Sequence, residues 1–148
     1  MLMSAILSAV LIMGSVAVHY EGLRLVSGIM PNLPLRPRTR LLFVLAAVLI
    51  MHLIEVCLYA VGFMFMHFQL GIGGISGALE GGWDDFFYFS ASTYTTLGMG
   101  DITPTGAVRS VAAVQSLVGL VLIGWSTSFT YLAMREFWGL HESPRRST

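Results

Sequence analysis

Three long apolar stretches, kept apart by a proline-rich and a glycine-rich segment, set the plan of this chain. The first, Leu2 to Val18, is broken only by Ser4, Ser8, Gly14 and Ser15, and its helical pattern runs on through His19, Tyr20, Glu21 and Arg24. A signal peptide carries positive charge ahead of its apolar core. No basic residue precedes this run, so a retained transmembrane helix is expected. The second stretch, Leu41 to Met66, and the third, Gly106 to Trp138, both exceed the ~20 residues that a helix needs to cross a ~30 Å hydrocarbon core. Between the first two, Pro31, Pro34 and Pro37 forbid a continuous helix and predict a loop. Gly71 to Gly77, followed by Gly81 and Gly82, predicts a flexible connection. Asp85 to Thr95 reads as a helix too short to span, so it must enter and turn back, which a bilayer tolerates only where the backbone is buried in protein or lines water.

Composition agrees with this plan. With 55% hydrophobic and 11% charged residues the chain is far too apolar for a soluble domain. Its 148 residues are expected to form a single transmembrane domain of all-α class, with no room for a separate soluble sensor. The expected parts are an extra outer helix over 1–30, an outer helix over 38–70, the re-entrant segment over 84–101 and an inner helix over 106–139. The net charge is zero, but the basic residues are all arginines, and their placement carries information. Arg36, Arg38 and Arg40 beside the second stretch, with Arg135, Arg145 and Arg146 after the third, mark the cytoplasmic side. Three spans then put the N-terminus outside and the C-terminus inside. The arginines recur every second residue among prolines, which is not the spacing of a voltage sensor; they read as a topology signal, with contact to anionic lipid open to them. Cys57 is the sole cysteine, so no intrachain disulfide can form.

Two ionisable residues stand inside the second apolar stretch. His52 and Glu55 are three apart, on one helix face near mid-bilayer, where such groups have partners. They read either as hydrogen-bonded glue between helices or as a proton-responsive site. Serines of the first helix and Gln115 of the third are the expected partners. On the opposite side from the arginines, Glu80, Asp84, Asp85 and Asp101 concentrate cations at a mouth, and Asp84 and Asp85 also suit a helix start. The polar tail from Glu142 is expected to fray.

The remaining stretch is Thr93-Tyr94-Thr95-Thr96-Leu97-Gly98-Met99-Gly100-Asp101. Glycine visits left-handed backbone angles at little cost. If Gly98 and Gly100 alternate in hand with their neighbours, successive carbonyls face one side and replace the water around a bare cation. From Phe89 to Pro104 the chain resembles the pore loop and filter of the tetrameric potassium channels, and Gly106, Arg109 and Gly119 extend the register. The usual pattern is Thr-x-Thr-Thr-Val-Gly-Tyr-Gly-Asp, from which Leu97 and Met99 depart.

The resemblance implies a passive channel and not an enzyme, with K+ held at Thr96, Leu97, Gly98 and Met99, Gly100 completing the filter and Asp101 at its mouth. It implies filter support from Tyr88, Phe89 and Ser92, where Ser92 replaces the glutamate of some members. Methionine lacks the tyrosine hydroxyl, so Tyr88 and Ser92 are expected to lose a partner at position 99. The resemblance also places a hinge at Gly119; stepping by four along the same helix face gives Ile123, Thr127 and Tyr131 as the gate. One copy supplies one filter strand, so a homotetramer in the cell (inner) membrane is implied, conducting monovalent cations without a cofactor. A weakly selective Na+/K+ channel is the alternative, and a proton-coupled transporter using His52 and Glu55 is the alternative of another class. The scattered histidines show no metal-ligand spacing, and nothing points to nucleic acid.

Overall fold

A computed structural model describes residues 2–138. Helix α1 (Leu2–Ile29) ends in a short 3-10 turn at Met30–Asn32. Helix α2 (Pro37–Phe65) starts with a proline in its first turn, where the missing N–H costs nothing. It closes through a wider turn, Met66–Leu70, that ends on Gly71 in the left-handed region. Strand β1 (Gly73–Gly77), helix α3 (Trp83–Tyr94), strand β2 (Ile102–Gly106) and helix α4 (Val108–Trp138) follow. Three segments, Leu2–Asn32, Arg38–Leu70 and Val108–Glu136, are long and apolar enough to cross a membrane. At 12 residues α3 is roughly 18 Å long and cannot. The polar tail, with Arg145 and Arg146, lies outside the described residues.

The glycine-rich connection is not the flexible link its composition predicts. β1 pairs antiparallel with β2, Gly73 opposite Gly106 and Gly77 opposite Ile102. The glycines are there for approach: a Cβ at Gly73 would strike the Thr105 carbonyl, and one at Gly77 the Asp101 carbonyl. Thr105 adds side-chain bonds to both the N–H and the carbonyl of Gly74, each 3.2 Å. A small ribbon thus joins the entry and the exit of the α3 excursion, and the other regular elements among the described residues are helical.

Two apolar clusters hold the helices together. One gathers Tyr59, Phe63, Phe86, Phe89, Val108 and Val111, where α2, α3 and α4 meet. The other gathers Leu23, Val26, Val44, Val48, Met51 and Ala133, where α1 crosses the far ends of α2 and α4. At the α1–α2 turn, Arg40 donates to the carbonyls of Leu33 (2.8 Å) and Leu35 (3.2 Å), so this arginine also ties down the proline loop.

Candidate functional site

The N-terminus of α3 is fixed by Asp85, which folds back to accept the N–H groups of Glu80 (3.0 Å), Gly81 (2.6 Å) and Gly82 (3.3 Å). The Gly81 bond leads the three in holding the Asp85 carboxyl below its ordinary range. Asp84 stays exposed. The C-terminus of α3 is held by α4. Gln115 donates to the carbonyl (3.1 Å) and hydroxyl (2.7 Å) of Ser90, and Ser116 donates to the Thr93 carbonyl (3.0 Å). Gly119 lies directly against the Tyr94 carbonyl, where a Cβ would collide. Of these contacts, the Ser116 bond reaches one of the last four carbonyls of the helix, which lack intrahelical partners.

Beyond α3 the backbone changes hand at every second residue. Thr96, Gly98 and Gly100 have φ of 59°, 55° and 85°, while Leu97 and Met99 between them stay out of the left-handed region. Ser92 holds this segment from behind. Its carbonyl accepts the N–H of Leu97 (2.9 Å) and of Gly98 (3.2 Å), and its hydroxyl accepts the N–H of Met99 (3.3 Å). Neither Tyr88 nor Ser92 is left without a partner by the methionine at position 99. Ser92 takes the backbone of residue 99, which any side chain offers. The Tyr88 hydroxyl donates to Asp101 instead (2.9 Å), a bond that pushes its phenol up. Phe89 is buried against Phe63, ring centroids 5.1 Å apart.

A second, polar centre lies between the two apolar clusters. Glu55 is fully buried, and so is His19 of α1. His19 Nδ1 lies 2.9 Å from Glu55 Oε1, and His52 Nδ1 lies 3.2 Å from Oε2. The Tyr94 hydroxyl donates to Oε2 as well and sits 2.8 Å from His52 Nδ1. The other ring nitrogen of His19 meets Ser126 Oγ of α4 at 3.2 Å.

A family model described as "Ion channel" matches residues 39–136, well over half of the chain. The chain belongs to the ion channel family. Neither a curated protein nor a solved structure matches it. The match makes this protein a passive channel and not an enzyme. It begins after α1, so the channel domain spans α2 to α4 and His19 comes from outside it.

Within the channel, His52 and Glu55 do meet, but their expected partners do not join them. Gln115 is spent on Ser90, and the α1 partner of Glu55 is a histidine and not a serine. Sequence reasoning missed His19, Tyr94 and Ser126 as members of this centre. The available signal was an imidazole within an apolar helix, which a membrane rarely leaves unpartnered. Ile123, Thr127 and Tyr131 lie on one side of α4 and line a cavity of about 880 Å3 with His52, Tyr94 and Thr95. Gly119 lies one turn nearer the loop, packed on Tyr94.

Proposed function

We propose that this channel conducts K+ selectively through Thr96, Leu97, Gly98, Met99 and Gly100, in a ring of four copies. The alternation of φ at Thr96, Gly98 and Gly100 carries the reading. Such alternation can turn successive carbonyls to one side, and a column of them can replace the hydration shell of a monovalent cation. The C-terminal end of α3 adds its negative dipole end beside the segment. Leu97 and Met99 are each 62% exposed in the single chain, unusually open for apolar residues beside a braced backbone. Neighbouring copies around an axis would cover them. Asp101 then lies at the mouth, and the cavity lined by Ile123, Thr127 and Tyr131 leads away on the other side, with Tyr131 the bulkiest constriction. On the arginine placement, the N-terminus is outside and the C-terminus in the cytoplasm of a cell membrane.

Gly98→Ala tests the reading. Within one chain nothing lies within 4 Å of the added Cβ, so there the substitution acts through φ. A left-handed L-residue costs roughly 1–2 kcal/mol in each chain. The expected variant assembles normally and carries no potassium-selective current. Selective current of wild-type size would remove the filter assignment.

A further inference from the structure

His19, His52 and Glu55 bring two imidazoles and a carboxylate together, with one ligand atom from each lying within 4.8 Å of the others. We propose that these three side chains form a site for a divalent transition-metal ion of the Zn2+ class, which fastens α1 to the channel domain. The inference does not depend on which ion the pore passes.

The donor chemistry fits. Neutral imidazole and carboxylate suit Zn2+ and its neighbours, and three protein ligands with a fourth position left to water or a neighbouring oxygen is a common zinc arrangement. Helix glue needs one donor and one acceptor. Here two rings from different helices converge on one carboxylate, their centroids 5.4 Å apart. Tautomers fit as well. A ligating histidine holds its ring through its other nitrogen, and His19 does so through Ser126 at 3.2 Å. A hydroxyl both donates and accepts. Ser126 can therefore donate to His19 Nε2 while Nδ1–H bonds Glu55, and can accept from Nε2–H once Nδ1 binds metal.

Charge points the same way. With both rings neutral, the centre carries one buried negative charge, which burial penalises. A divalent ion offsets that negative charge. Among the described residues no arginine contacts the centre to compete for Glu55. Entry is through His52, which is 16% exposed and lines the 880 Å3 cavity with Tyr94 and Ser126. Coordination draws on the carboxylate that holds the Tyr94 hydroxyl, two residues before Thr96, so an ion here acts on the seating of α3.

The test uses the full-length protein, stripped with a chelator and titrated with Co2+ alone, whose visible absorption reports a four-coordinate nitrogen and oxygen site. The background variant is His67→Gln with His141→Gln, which leaves His19 and His52 as the remaining pair of the four histidines. The expected result is a saturable band at one ion per chain, the same in wild type and background and displaced by Zn2+. His19→Gln or His52→Gln, each added to the background, removes it. Ser126→Ala weakens binding by about tenfold, the usual cost of losing an outer-shell partner. Absence of a saturable band in the wild type overturns the site, as does a band that survives both His19→Gln and His52→Gln. If either variant misfolds, X-ray absorption of the Zn2+-loaded background decides. A shell containing imidazole supports the site, and an all-oxygen shell overturns it.

Discussion

At Thr96 a β-branched residue holds φ at 59°, a conformation that glycine takes freely and threonine does not. Its cost, roughly 1–2 kcal/mol, is borne because Ser92 gathers three N–H groups from Leu97, Gly98 and Met99 on one residue. Ser92→Ala keeps the two carbonyl bonds and deletes the hydroxyl bond to Met99, worth about 1 kcal/mol per chain. The expected variant has an unchanged reversal potential and loses conduction sooner when potassium is lowered. Sustained recording at falling potassium measures this, and equal persistence in both forms would contradict the bracing role. The glycines at 98 and 100 are legible in the sequence because their residue type already implies their backbone angles. The brace is not, because it depends on how tightly residues 97–99 wrap back onto position 92. The same holds for His19. It lies 36 positions from Glu55, and only the packing of α1 on α2 joins them.

At the scale of elements, α3 is a short helix supported at both ends by other parts of the chain. Gln115, Ser116 and Gly119 hold its C-terminus to α4. Asp85 holds its N-terminus, with its carboxyl depressed chiefly by the Gly81 N–H. The folded value lies below the ordinary one, so this support is fully present above about pH 4, the unfolded range of an aspartate. It is lost as pH falls through the lower folded value. Hydrogen exchange at Gly81 and Gly82 is therefore expected to quicken on acidification below that range, beyond its intrinsic pH dependence. Asp85→Asn should show no such added step; an identical step in the variant would assign it to another group. The helices were legible because each spanning segment is a long apolar run. The β1–β2 ribbon was not, since glycine lowers strand propensity and the pairing partner of Gly73 is Gly106, far along the chain.

At the scale of the whole molecule, one chain has an incomplete interior. Leu49, Leu117, Leu120 and Val121 are each exposed by more than half, and such faces call for lipid or for further copies of the chain. The family match shows a channel but does not reach α1, which reads as an addition locked to the pore domain through His19, Glu55 and Ser126. The central claim is that the braced segment from Thr96 to Gly100 selects potassium. Purified protein in a planar bilayer, with potassium at a tenfold gradient and the balance made up with sodium, tests it most directly. A potassium-selective pore reverses near the potassium equilibrium potential, about 59 mV for a one-electron-equivalent charge and a tenfold ratio. Reversal near zero would contradict the account and make this a channel that does not distinguish the two ions.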